Sequence, residues 1–197
     1  MKKKKYPVRI PRFALGIRAQ ESRAGAGRSW WHRKWVSILE SMGLGGRLGR
    51  GKSYALSGQI IEMKIIGPHV EAKVVGTRSQ PYTVTIDFRI PEGAERERII
   101  GAIRAQPMLI ARLAVDDLSV EVENIFKSEG FDLFPGGKIA PRLYDMTTSC
   151  SCPDYANPCK HTAAVLLILG EEISRRPATL LDLRGITIEE LIGKSKE

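Results

Sequence analysis

Cysteine and histidine are scarce in this 197-residue chain, three of each, so where they fall carries information. An odd number of thiols leaves one over from any disulfide pairing, which argues against an oxidised scaffold. Aromatic residues make up only 7% of the chain. No apolar run approaches the roughly 20 residues needed to cross a bilayer. The start, Met1-Lys-Lys-Lys-Lys5, is basic, but the 7–15-residue apolar segment of a secretory signal does not follow it. Reduced thiols without an export signal lead us to expect a cytoplasmic protein with no membrane partner. Acidic residues are almost missing from the first quarter: residues 1–52 hold 14 Lys/Arg and 2 Asp/Glu, while the remainder holds 17 and 20. The net charge of +9 is therefore confined to one end of the chain. Such asymmetry is the electrostatic footprint of phosphate-backbone binding, and a solvated basic tail is the plainer alternative.

What the sequence does have is a cluster. All three cysteines and one histidine fall within Cys150-Ser-Cys152-Pro-Asp-Tyr-Ala-Asn-Pro-Cys159-Lys-His161. Three thiolates and an imidazole in two closely spaced pairs match a tetrahedral Cys₃His zinc site. Isolated cysteines are ordinarily small buried hydrophobes. A catalytic Cys–His pair would give no role to the other two thiols. We therefore assign Cys150, Cys152, Cys159 and His161 as ligands of one structural Zn²⁺. Asn157 as N-cap and Pro158 at the first helical position predict a helix starting at Asn157–Pro158 and continuing through Ala163–Leu169. Its positive end would favour thiolate over thiol, and Lys160 would offset the charge of about −1 left by three thiolates and Zn²⁺.

Upstream, residues 1–28 lack periodicity and read as a basic flexible arm carrying Lys2, Lys3, Lys4 and Lys5. Ser29 then caps a helix to about Met42, with Gly43 as its stop and Trp31, Trp35, Ile38, Leu39 and Met42 on one face. Trp30 lies off that face and is a candidate for base stacking; Arg33 and Lys34 fall on the solvent side. Gly46-Arg-Leu-Gly-Arg-Gly51-Lys52-Ser53 satisfies the Walker A pattern, but that motif needs a strand before it and a helix after it. Here a Trp-rich helix precedes and strand-like residues follow, so the stretch reads as a flexible loop whose Arg47, Arg50 and Lys52 reach phosphates.

Residues 60–66, 70–75 and 82–90 alternate as antiparallel strands joined at Gly67-Pro68 and Gln80-Pro81. Helices follow: a stripe of Ile99, Ile100 and Ile103, a short helix from Pro107 to Leu113, and a third over Val120–Ser128 that ends at Gly130. Asp116, Asp117, Glu121 and Glu123 read as a solvated acidic face, and His32 and His69 as solvent-facing. Phe131 and Phe134 form an apolar patch before a turn. Residues 143–147 read as a short strand delivering Cys150.

The cluster C-x-C-x₆-C-x-H followed by an apolar helix resembles the SWIM zinc finger. The context from Thr148 to Val165 is similar to the prokaryotic branch of that family. So are Trp30-Trp31-x-Arg33-x-Trp35, Gly46-Arg47-x₂-Arg50-Gly51-x₂-Tyr54 and Ser57-Gly58-Gln59. The resemblance spans about residues 28 to 185, and the four ligands are its most specific part. It implies DNA binding and protein–protein contacts, and an association with SWI2/SNF2-type helicase ATPases.

Together these readings predict an α+β protein: an N-terminal helix packed on a small antiparallel sheet, a helical segment, then a small zinc module with a C-terminal helix. The expected division is 1–28 arm, 29–137 α+β domain, 138–175 zinc finger and 176–197 helical tail. With every metal position filled by protein and no catalytic set elsewhere, we expect a binding protein, not an enzyme, and no small-molecule substrate. Its partners would be DNA or RNA and a SWI2/SNF2-type ATPase. Contacts would come from Lys2–Lys5, Trp30, Arg33, Lys34, Arg47, Arg50, Lys52 and Lys160. The alternative is a pure protein-interaction subunit docking through the zinc helix, Phe131 and Phe134.

Overall fold

A computed structural model describes residues 10–20, 29–136 and 145–193. Four antiparallel strands, β1 (Ile60–Ile66), β2 (His69–Val74), β3 (Tyr82–Phe88) and β4 (Met146–Cys150), form one sheet in the order β1-β2-β3-β4. Registers such as Lys64↔Glu71↔Thr85↔Ser149 and Ile65↔Val70↔Ile86↔Thr148 sort the side chains by face. Because alternation has a period of two, Val70, Ala72, Val74, Val84, Ile86 and Phe88 point into the core. Glu62, Lys64, Glu71, Lys73 and Asp87 lie on the opposite face, where Glu62–Lys64 and His69–Asp87 pair at 2.8 and 2.6 Å. β4 adds to β3 although at least 57 residues separate them, so residues from the segments 29–137 and 138–175 share one sheet.

The central element is α6 (Lys160–Arg175), which follows α1 (Trp30–Ser41), α2 (Gly46–Leu56), α3 (Gly93–Arg104), α4 (Pro107–Leu113) and α5 (Val120–Ser128). It is buried on nearly every side, from His161 to Gly170 and again at Ile173, because the sheet lies against one face and α1 and α2 against the others. The cover expected of the N-terminal helix is therefore shared, with α1 reaching the sheet where Trp35 meets Phe88 at 6.4 Å. Such burial requires close approach. A Cβ on Gly51 of α2 would stand 2.7 Å from the Ala163 Cβ, and one on Gly170 would stand 2.6 Å from the Trp35 ring. The indole N–H groups then tie the layers: Trp31 donates to the Ile173 carbonyl, Trp35 to Leu166 and Trp30 to Leu118, at 3.2, 3.0 and 2.9 Å. Buried indoles need such acceptors.

Helices α3, α4 and α5 fall at the stripes read from sequence, and short helices α7 (Thr179–Asp182) and α8 (Ile188–Leu191) close the chain. Arg184, 1% exposed, binds the Leu133 and Arg89 carbonyls at 3.1 and 2.6 Å and Asp145 at 3.4 Å, over the Phe131 ring. Burial lowers its guanidinium pKa to about 10, against the opposing pull of Asp145.

Five expectations are corrected. The Gly46–Ser53 stretch is not a flexible loop but the body of α2, because packing against α6 outweighs its poor helix propensity. His32 is 3% exposed, sharing the inner face of α1 with Trp35 and Leu39. Glu123 is buried, not solvated: burial pushes its carboxyl up, but hydrogen bonds from Lys127 and Lys34 outweigh this and hold it below the usual range. Phe131 and Phe134 are 1% and 3% exposed, packed in the core. Finally, residues 10–20 of the expected flexible arm are bonded in place at the end of the sheet where β1 begins, with Gly16 and Ile17 N–H donating to Gly58 and Ile60 at 2.9 and 2.7 Å and Arg12 N–H to Gly76 at 2.9 Å. Lys2–Lys5 lie outside the described residues.

Alanine is preferred to glycine inside a helix by about 0.8–1.0 kcal/mol, so two substitutions in α2 separate propensity from packing. Gly49→Ala, with nothing within 4 Å of the new Cβ, should raise stability by up to that amount. Gly51→Ala should lower it by about 1–3 kcal/mol through overpacking against Ala163 and Ala164. Urea unfolding of the two variants measures the difference.

Candidate metal centre

Two elements bring the ligands together. On β4 the alternation that puts Met146 and Thr148 on the helix-facing side also puts Cys150 there, while Thr147 and Ser149 face away. Cys152 follows as the chain turns. Cys159 is the N-cap of α6 and His161 sits in its first turn. The helix thus starts at Lys160, later than the Asn157–Pro158 expected. The reason is that Asn157 is engaged elsewhere: its Nδ2 donates to the Thr148 carbonyl at 2.6 Å and its Oδ1 accepts from the Thr148 hydroxyl at 2.7 Å. This clamps the Cys152–Cys159 loop onto β4. Arg47 of α2 reaches the Pro158 carbonyl from the other side at 3.5 Å.

The three Sγ atoms and one His161 nitrogen all lie within 4.8 Å of one another. A tetrahedral zinc, with Zn–S about 2.3 Å and Zn–N about 2.0–2.1 Å, requires ligand-to-ligand edges of about 3.6–3.8 Å. His161 Nδ1 stands 3.8 Å from the Cys150 Sγ and 3.7 Å from the Cys159 Sγ. The donor set and its spacing fit the ion. Cys159 and His161 are buried, and Cys150 and Cys152 half-buried. A hydrogen bond from Cys150 brings the Cys159 thiol down to about 2, against burial and with help from His161 and Thr162. The same bond raises Cys150, while burial raises Cys152. A thiolate is thus already favoured at the helix N-cap. The Thr162 hydroxyl, 3.5 Å from the Cys159 sulfur, supports it.

His161 is held by aromatic contacts that the sequence did not disclose. Its ring stacks on Tyr82 at 4.6 Å and 30°, and meets Tyr54 edge-on at 5.2 Å. With Nδ1 aimed at the sulfurs, Nε2 is buried with no hydrogen-bond partner among the described residues. Tyr82 is legible in sequence only as an inward strand residue, and Tyr54 only as part of a glycine-rich run. A pattern of alternation says which face a residue takes, not which ligand it touches.

The expected nucleic-acid contacts divide into two sets. Arg50 and Lys52 on α2 are exposed, and Lys160 lies over the Tyr54 ring at 5.8 Å, next to the centre. Arg47 reaches the zinc loop, whereas Lys52 lines a separate hollow between α1, α2 and α6 with Glu40 and Glu171. Arg33 on α1 is exposed. The other set is engaged internally: Lys34 pairs with Glu123 and covers Phe134 at 5.0 Å. Trp30 corrects its expected stacking role, since its N–H is bonded and its ring packs on Trp31 and Phe134 at 6.1 and 5.9 Å.

The fold and the site together define a structural zinc module whose metal joins a sheet edge to a buried helix. Residues 142–170 match the SWIM zinc finger family, so the chain is a SWIM-domain protein carrying one structural zinc site. It is also similar to a protein of Mycobacterium tuberculosis (strain ATCC 25618 / H37Rv) that bears the description "Uncharacterized protein Rv2102", with 33% identity over 178 residues. That match takes in 90% of this chain and 62% of the relative, so the chain spans less than two thirds of the relative's length. No solved structure matches the chain.

Two outcomes test the centre. Purified protein should carry one zinc per chain by mass spectrometry under native conditions, and His161→Ala or Cys159→Ser should lose it together with the cooperative unfolding of α6. Because three thiols must shed protons to bind the ion, zinc released to a chromogenic chelator should rise steadily as pH is lowered from 7 to 5. Retention unchanged across that range would contradict thiolate ligation.

Proposed function

We propose that the protein is a non-enzymatic accessory factor that binds nucleic acid through the basic surface around its zinc loop. The observation that carries this reading is the pairing of Arg47 and Lys160 at the zinc loop, with Arg50 and Lys52 exposed on the same helix as Arg47, beside a metal site whose four positions are filled by protein. Phosphate contacts of this kind are sequence-independent and release counterions. A SWI2/SNF2-type ATPase is the partner that the sequence resemblance suggests, with this chain delivering or holding the nucleic acid. Cytoplasmic residence belongs to the same proposal. Among the described residues no helix is long and apolar enough to cross a membrane.

A second reading, protein interaction without nucleic acid, is favoured by one feature. Ile10, Phe13 and Leu15 are 80%, 82% and 78% exposed on the segment bonded to the end of the sheet where β1 begins. This stripe replaces Phe131, Phe134 and the zinc helix as the docking surface, since all of those are buried.

The two readings separate in a salt series. On the nucleic-acid reading, the log–log salt slope for a labelled duplex or single strand should flatten by about 2–3 when Arg47, Arg50 and Lys52 are all changed to Ala, with affinity falling alike for all sequences. On the interaction reading the triple variant binds its protein partner as the parent does, and no labelled nucleic acid shifts at any salt.

A further inference from the structure

The hollow between α1, α2 and α6 has a volume of about 570 Å³ and lies apart from the four zinc ligands, none of which lines it. We propose that it binds a short apolar peptide with both ends free, its amino end at Glu40 and its carboxyl end at Lys52. This goes beyond the nucleic-acid reading, which concerns the zinc loop.

The shape follows from how three helices meet. α1 and α2 are joined by a short turn and each packs on α6, yet they hardly touch each other. A groove therefore stays open between them, with α6 as its floor. Leu167, which lies in that floor, is the one residue between His161 and Gly170 left half-exposed. Val36, Leu48 and Leu56 on the walls are half-buried as well. Ligand sites run to about 300–1,000 Å³ and are mostly apolar with a few polar groups, and this hollow matches that description.

Gly49 is an independent observation. Glycine is a poor residue inside a helix, and at Gly51 and Gly170 close contacts demand it. At Gly49 no such contact exists, since a Cβ there would meet nothing within 4 Å. Gly49 instead lines the hollow. The missing side chain keeps the cavity open and lets the backbone of a ligand come close to α2.

The charged groups select the ligand. His32, Glu40, Lys52 and Glu171 are the ionisable residues of the lining, and His32 and Glu171 already have partners. Glu40 and Lys52 are exposed and form no ion pair among the described residues. They stand on opposite walls and at different levels. Glu40 is in the last turn of α1, while Lys52 lies about two helical turns along α2 from its N-cap, Gly45. A ligand with one charge would leave one of the two unanswered. An amino acid carries both charges on a single carbon, too close together to reach both levels. A short peptide places an ammonium and a carboxylate several bonds apart with apolar side chains between them, and capture of free peptide ends is a recurring mode of recognition.

The test uses the zinc-loaded full chain with the tripeptide Leu-Ala-Leu, its N-acetyl and C-amide forms, and the polar tripeptide Ser-Gly-Ser. Amide shifts at Gly49, Leu167 and Gly170 report binding. Leu-Ala-Leu should move them and Ser-Gly-Ser should not. Acetylation and amidation should each weaken binding about fivefold, the size of a solvent-accessible ion pair. Glu40→Gln should lower affinity for the free peptide by that factor and leave the acetylated form unaffected. Lys52→Met should do the same against the amidated form. Gly49→Leu should fill the hollow and abolish binding, with zinc content and unfolding midpoint no lower than the parent's. Glu40 and Gly49 take no part in the nucleic-acid reading, so oligonucleotide binding by those two variants should match the parent whatever the peptides do. No shift in the millimolar range, equal binding of free and capped peptides, or binding that survives Gly49→Leu overturns the site. Shifts as strong with octylamine or octanoate assign the hollow to a simple amphiphile and overturn the peptide.

Discussion

The Cys150–His161 connection through a shared metal is the constraint on which the rest of the molecule turns. Cys150 ends the last strand of the sheet, and Cys159 and His161 begin the helix that fills the core. Nothing else fixes the start of α6 so directly. Structural zinc in small modules contributes an apparent 10–16 kcal/mol or so at neutral pH, while whole domains are stable by about 5–15 kcal/mol. The metal is thus comparable to the entire margin of stability, and the ligand loop is folded by it rather than by its own short, polar sequence.

Packing then depends on where α6 is held. A helix enclosed by a sheet and two other helices leaves no room for side chains at its closest crossings, so glycine stands at 51 and 170 and alanine at 163 and 164. The tryptophans of α1 do the converse work: the Trp35 ring fills the space over Gly170, and each of the three N–H groups is bonded to a backbone carbonyl. Large and small residues alternate across the interface, which is how native packing density is reached.

Charge is divided between structure and surface. Arg184 and the Lys34–Glu123–Lys127 group are inside or against the core, where losing one partner would strand a buried charge. Arg47 and Lys160 instead stand at the zinc loop. The 31 lysines and arginines overstate the cations a polyanion would meet, because several of them are paired with carboxylates within the fold.

By itself the sequence determined the zinc ligands, the first three strands, most of the helices and the α+β class, because each rests on short-range spacing: C-x-C, C-x-H, period two, period 3.6. Only the tertiary structure decided that Gly46–Leu56 is helical, that His32, Glu123, Phe131 and Phe134 are buried, and that Tyr54 and Tyr82 hold His161. Asn157 shows why. Its local propensity favours a helix cap, and the carbonyl and hydroxyl of Thr148 on β4 offer its amide better partners. Contacts between residues far apart in the chain compete with local preference at a strength no local pattern records, and at the joints between elements they win.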